Sequence, residues 1–191
     1  MMLYNNPVIG VVQSKISDNA IERIIGVDAF EKSKGWDFST NSSVDTGWRT
    51  SSTYFDFFES FRPEVMSILD SVRQEFGHHY SLEQTEQLQV AKYEPGQYYK
   101  PHRDYFNVPN VTPILVDRVA TVILYLNDDF EGGHTNFTDL SISVKPKKGN
   151  LLYFQYLQDK GAINTLHEGA EVTSGVKYIA TLWIRESHPW R

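Results

Sequence analysis

Past Gly77 the chain breaks into short runs rich in Val, Ile, Thr and aromatic residues, at 88–93, 119–126, 142–144, 150–156 and 177–184, separated by the turn-forming stretches EPGQ, DDFEGG and KPKKG. Runs of this length between Pro and Gly turns read as strands, and many short strands predict a sandwich or barrel. The run VATVILYL is apolar at nearly every position. That predicts a central strand buried on both faces, whereas the other runs can face solvent on one side.

Upstream the pattern is helical and polar. Ser17 followed by DNAIERIIGVDAFEKSKG predicts an N-capped amphipathic helix over about 18–33, weakened by Gly26. Pro63 suits the first turn of a second helix, in which Val65, Met66, Leu69, Val72 and Phe76 recur at three- and four-residue spacing. That stripe should pack on a sheet. Between the helices, residues 36–52 run to Ser, Thr, Asn, Asp and Gly without periodicity. This predicts a long loop, and a loop of that length is a candidate lid.

What the chain can do chemically is narrowed by what it lacks. With no Cys among 191 residues, a disulfide framework, a thiolate metal site, an iron-sulfur cluster and a cysteine nucleophile are all excluded. Any metal must therefore sit on His, Asp or Glu. The net charge of −6 speaks against non-specific binding to phosphate backbones or anionic membranes, so neither nucleic acid nor membrane is expected as a partner. No run of about 18 apolar residues occurs, and the first residues carry no basic segment ahead of an apolar patch, so a cytoplasmic or otherwise intracellular protein is expected.

The informative segment is YEPGQYYKPHRDYF. His102 and Asp104 are two apart, and on an extended strand residues i and i+2 share a face, so an imidazole nitrogen and a carboxylate oxygen can meet at one cation. Alone, such a pair also fits an ordinary surface strand. His167, in NTLHEG, would complete a set of two His and one carboxylate. Such a set can occupy one face of an octahedral iron(II) and leave positions open for dioxygen and an organic co-substrate; zinc on the same ligands would hold a water. Lys177 begins the apolar strand KYIATLWIR. A cation inside a barrel would be costly unless it met an anion such as a carboxylate, and the alternative is that it starts the strand in solvent.

Taken in order, YEPGQYYKPHRDYF, RVATVILYLNDDFEGGHTNF, VKPKKGNLLYF and LHEGAEVTSGVKYIATLWIRE resemble the catalytic domain of the prolyl 4-hydroxylases, which are iron(II)- and 2-oxoglutarate-dependent dioxygenases. The resemblance extends upstream to EQLQVAKY and GWRTSSTYF and covers about residues 44–186. It implies a mainly β fold with N-terminal helices: a double-stranded β-helix, or cupin-like jelly-roll barrel. The length of 191 residues makes a single domain over 1–191 the expectation, with helical support at about 1–80 and the jelly-roll core at about 86–186. By the same resemblance, His102, Asp104 and His167 bind Fe(II), and Lys177 pairs with the distal carboxylate of 2-oxoglutarate. Tyr93 and Thr135 are implied as hydrogen-bonding partners for that end, and Tyr99, Arg118 and Trp183 as peptide contacts. His134 departs from the family, standing where relatives commonly have Glu, and is expected outside the ligand set.

The activity so implied is hydroxylation of prolyl residues in a peptide or protein by dioxygen, with succinate and carbon dioxide as co-products and ascorbate as a candidate reductant. Two alternatives remain open at this level. One keeps the cofactors but acts on a free amino acid or another side chain; the other is a non-catalytic jelly-roll that retains a metal for binding. The target protein, the hydroxylated carbon and the oligomeric state are not legible in the sequence.

Overall fold

The computed structural model describes residues 1–5, 7–37, 42–44, 47–57, 59–105, 118–156 and 165–186. In chain order the elements are β1 (Met2–Asn5), β2 (Val8–Gln13), α1 (Asp18–Ile25), β3 (Glu31–Lys32), β4 (Gly35–Asp37), β5 (Ser42–Val44), β6 (Ser52–Phe55) and α2 (Arg62–Phe76). There follow β7 (Gln89–Tyr93), β8 (Tyr99–His102), β9 (Arg118–Tyr125), β10 (Glu131–Gly132), β11 (Thr135–Phe137), β12 (Ile142–Val144), β13 (Asn150–Gln155), β14 (His167–Gly169), β15 (Val172–Ser174) and β16 (Lys177–Arg185).

The helices end where backbone chemistry stops them. Ser17 caps α1 by accepting a hydrogen bond from the Ala20 amide, but the helix ends at Gly26 and does not reach residue 33; Glu31–Lys32 instead pairs with β6. α2 begins with Pro63 in its first turn and closes on Gly77, whose φ of 74° is left-handed. Its buried stripe is Val65, Ile68, Leu69 and Val72; Met66, expected within it, is 47% exposed. The row of 65, 69, 72 and 76 lies on one side of the helix, and residue 66 is turned off it.

Antiparallel strands form a major sheet in the order β1-β2-β13-β9-β16-β7-β6-β3 and a minor sheet in the order β12-β11-β14-β8, with β10–β15 and β4–β5 as separate pairs. The major sheet is the wall between two cores. On its outer face Ala120, Val122, Leu124, Ala180 and Leu182 pack against Ile21, Ile24 and the α2 stripe. On its inner face Ile123, Tyr125, Leu152, Phe154 and Ile179 meet Phe137 and Val144 of the minor sheet. This is the double-stranded β-helix that the sequence resemblance implies.

VATVILYL falls on β9, between β13 and β16, and is buried on both faces as its composition predicts. β16 and the middle of β13 are buried on both faces as well, because the helices cover the outer side of all three central strands. The first thirteen residues, expected as part of a helical support, include the paired strands β1 and β2, and β2 continues the sheet on β13. Within the expected long loop, Gly35–Asp37 pairs with Ser42–Val44, and Arg49 bridges to Tyr99. Residues 38–41 and 45–46 of the candidate lid lie outside the described residues.

Candidate metal centre and anion site

β8 and β14 are neighbours in the minor sheet, and their register sets His102 directly opposite His167. The ring centroids are 4.3 Å apart. Asp104 sits two residues on, in a bend just past the end of β8, with its side chain turned back toward both imidazoles. His102 Nε2 lies 3.5 Å from Asp104 Oδ1, and His167 Nε2 lies 3.9 Å from Oδ2. The three ligand atoms all fall within 4.8 Å of one another, the spacing of a metal pocket.

Each imidazole is oriented by the chain just before it. His102 Nδ1 donates to the Lys100 carbonyl at 2.8 Å and His167 Nδ1 to the Thr165 carbonyl at 2.9 Å. A carbonyl only accepts, so the proton sits on Nδ1 and the Nε2 lone pair is presented to a cation. Burial first, then the His102 charge, lowers the pKa of His167 to about 4 against the pull of Asp104, so this ligand is neutral in ordinary buffers. For Asp104, burial raises the carboxyl pKa, but His167, the contact with His102 and the Arg118 guanidinium together outweigh it. The carboxylate is therefore held ionised. Two imidazoles that present Nε2 and one carboxylate with an open side suit an octahedral divalent iron.

The same cavity holds Lys177, which is only 2% exposed. Its ammonium donates to the Gly133 carbonyl at 2.6 Å and lies 5.3 Å from the centroid of the Tyr93 ring. Among the described residues no carboxylate comes within ion-pair distance of it. Burial, with a smaller push from the Arg49 charge, lowers its pKa from 10.5 to about 7. A buried cation with one backbone partner is costly, and an anionic ligand offsets that cost. Tyr93 stands opposite Lys177 in the β7–β16 register, and Thr135, buried on β11, accepts a hydrogen bond from the Tyr125 hydroxyl at 2.9 Å. Both line the cavity beside Lys177.

Tyr99 and Trp183 also line this cavity. Tyr99 stacks on His102 with centroids 3.5 Å apart, and burial pushes its phenol up to about 12. Trp183 Nε1 is buried and has no acceptor among the described residues. Arg118 is placed differently. It lies behind Trp183, with Cζ 4.1 Å from the ring centroid, and holds Glu86 through Nε and Nη2 at 2.6 and 2.7 Å. Its Nη1 donates to the Asp104 carbonyl at 3.2 Å. A buried guanidinium takes the carboxylate within reach, which draws Arg118 out of the cavity lining. His134 is outside the ligand cluster, near the Ser143 hydroxyl, as its departure from the family suggested.

Arg49 is a charged residue of the site that sequence reasoning missed. It lines the cavity, donates to Ser51 and Gln89 at 2.8 and 2.7 Å, and stacks over Tyr99 at 5.0 Å. The signal was its place in GWRTSS, a motif noted only as a segment. A larger cleft of about 380 Å³ opens between Asp56, Arg62 and Glu86, away from the ligand cluster.

Three comparisons bear on this geometry. Residues 88–185 match the model of the 2OG-Fe(II) oxygenase superfamily. A protein of Acanthamoeba polyphaga mimivirus, provisionally named a prolyl 4-hydroxylase, is 32% identical over 96% of the chain and 75% of its own length. Prolyl 4-hydroxylase 1 of Arabidopsis thaliana is 37% identical over 78% of the chain; the chain spans 58% of that relative's length. Among solved structures, the collagen prolyl hydroxylase of Paramecium Bursaria Chlorella virus-1, in a 2-oxoglutarate complex, matches 94% of this chain and 96% of its own. The TM-score is 0.66 at 27% identity.

Proposed function

The chain belongs to the 2OG-Fe(II) oxygenase superfamily, and from that premise we propose that it hydroxylates prolyl residues in a peptide or protein, with His102, Asp104 and His167 as the iron ligands. Iron(II), 2-oxoglutarate and dioxygen, when bound, supply the oxidising chemistry, with succinate and carbon dioxide as co-products. The observation that carries the reading is that a two-His, one-carboxylate cluster and a buried lysine with no anionic partner among the described residues open into one cavity.

Each of the chain's own groups then has a task. His102 and His167 offer Nε2, fixed by the carbonyls on Nδ1, and Asp104 offers a carboxylate kept ionised by its surroundings. Lys177 takes the distal carboxylate of 2-oxoglutarate, with Tyr93 and Thr135 as hydroxyl partners at the same end. Arg49 adds a second positive charge to the cavity. Tyr99 and Trp183 wall the substrate side with flat rings that suit a pyrrolidine, and Trp183 Nε1 is a donor for a peptide carbonyl. Arg118, expected as a peptide contact, serves the same side indirectly by bracing Trp183 from behind while its own donors are held by Glu86 and the Asp104 carbonyl. The apolar inner core keeps water from the reacting carbon. Ascorbate is assigned the part of reductant after unproductive cycles.

The relatives' names put a proline-containing chain first among substrates, and proline-rich segments are preorganised as extended helices that lose little entropy on docking. The test incubates the protein with iron(II), 2-oxoglutarate, ascorbate and one of three substrates: free proline, a proline-rich peptide, or that peptide with Ala at each Pro. The peptide should gain the mass of one oxygen in step with succinate release. Equal oxidation of the Ala peptide would overturn the prolyl assignment.

A further inference from the structure

Asp104 lies past the last ladder pairing of β8, so the sheet does not fix how its carboxylate is turned. Something else must decide which oxygen faces the imidazoles. Thr121, on β9, points to the inner face with Ile123 and Tyr125, and Tyr156 follows directly after β13; the β9–β13 register sets Phe154 opposite Thr121, which brings the two hydroxyls together. Thr121 Oγ1 donates to Asp104 Oδ2 at 2.7 Å. The Tyr156 hydroxyl meets Thr121 Oγ1 and lies 3.4 Å from the same Oδ2. Thr121, Tyr156 and Asp104 are 0%, 5% and 6% exposed, so water does not compete for these bonds.

We propose that Thr121 and Tyr156 are positioning residues for the metal centre, a hydroxyl chain that engages Oδ2 of Asp104 and leaves Oδ1 to the cation. A threonine has one O–H; with that proton on Oδ2 at 2.7 Å, its oxygen is left to accept from Tyr156, whose own distance to Oδ2 is the longer 3.4 Å, which gives the order Tyr156 to Thr121 to Asp104. Such chains polarise one another and hold a carboxylate in one orientation. Of the two carboxylate oxygens, Oδ1 is the nearer to an imidazole nitrogen, at 3.5 Å against 3.9 Å for Oδ2. Among the described residues Oδ1 receives no hydroxyl. The main chain of Asp104 is held separately by Arg118 Nη1, which leaves the side-chain torsion to the two hydroxyls. Hydrogen bonds behind a ligand commonly tune metal affinity by about 10- to 100-fold.

This inference rests on the metal-site reading above, and its test does not use turnover. The metal-free full chain is titrated with Co(II), followed by calorimetry and by the visible absorption of the bound ion, for the parent and for Thr121→Val, Thr121→Ser and Tyr156→Phe. Thr121→Val should weaken Co(II) binding by about 10- to 100-fold and alter the band, Tyr156→Phe should weaken it by a smaller factor, and Thr121→Ser should stay near the parent. Parent affinity and an unchanged band in Thr121→Val would overturn the proposal. So would an equal loss in Thr121→Ser, which would place the effect in methyl packing and not in the hydroxyl. Should Thr121→Val not fold, Tyr156→Phe decides: weakened binding with Thr121→Ser near the parent supports the pair, and parent affinity overturns it. A parent chain that takes up no Co(II) would instead overturn the metal-site reading.

Discussion

The Lys177 ammonium meets one carbonyl and the face of a tyrosine ring in an interior where a free charge is costly. A carboxylate arriving at Lys177 supplies a charge-assisted bond typically worth about 1.5 to 3 kcal/mol, so Lys177→Ala should raise the 2-oxoglutarate dissociation constant by about 10- to 100-fold. The lysine itself sets a pH dependence: burial and the neighbouring Arg49 charge lower its pKa to about 7 before the ligand binds. Above that pH the free lysine is neutral and must take up a proton to pair with a carboxylate. Affinity for 2-oxoglutarate should therefore fall as pH rises past about 7, approaching tenfold per unit, and Lys177→Ala should flatten the profile. Calorimetry with Co(II) in the site measures both, and a flat profile in the parent would refute the assignment. Stability runs the opposite way. Between about 7 and 10.5 the unfolded chain binds one proton more than the folded chain at this residue, so its contribution to stability rises with pH.

One turn ties the anion site to the sheet edge. Gly133, between β10 and β11, has φ of 63°, and a Cβ there would stand 2.9 Å from Phe130 and 3.0 Å from Cδ of Lys177. Its carbonyl is the acceptor for the Lys177 ammonium. Gly133→Ala should thus cost about 1 to 2 kcal/mol in stability from the left-handed backbone alone and also displace the lysine. Gly77→Ala is the control, since φ is 74° and nothing lies within 4 Å of the added carbon. Both should lower the melting temperature, but only Gly133→Ala should weaken 2-oxoglutarate; equal affinities would separate the turn from the site. These elements differed in how plainly the sequence announced them. β9 was legible as a central strand because its run is apolar at nearly every position, whereas β16 was legible as a strand but owes its burial on both faces to the helices that cover the sheet. β11, β14 and β15 are three residues each, too short for any periodicity, and gained their identity from the motifs they carry. α1 was read too long because the polar residues after Gly26 fit a helix locally, while pairing with β6 claims Glu31–Lys32 for the sheet.

At the scale of the molecule, the ligand set and Lys177 were visible from local motifs, whereas the partners that complete the site were not. Arg49 reaches the cavity from a segment about fifty residues before the first ligand, and β1 and β2 join the major sheet beside β13, which lies more than a hundred residues away. Contacts of such separation leave no spacing signal. The same long-range construction predicts a thermodynamic signature. His102 and His167 lie on different strands of the minor sheet, which meets the major sheet through one apolar core, so a bound metal closes the minor sheet with links that the unfolded chain lacks. A ligand held only by the folded state stabilises by about 2.7 kcal/mol at a hundred times its dissociation constant. For a chain of 191 residues each kcal/mol moves the melting temperature by roughly 2 to 4 °C. Co(II) at that excess should raise the melting temperature by about 5 to 11 °C, and a chelator should reverse the shift. His167→Ala should melt at a temperature unaffected by metal, because the two remaining ligands cannot bridge β8 and β14. A full shift in His167→Ala would place the ion elsewhere in the molecule. An unshifted parent would mean that the three side chains, though within 4.8 Å of one another, do not act together as a metal site.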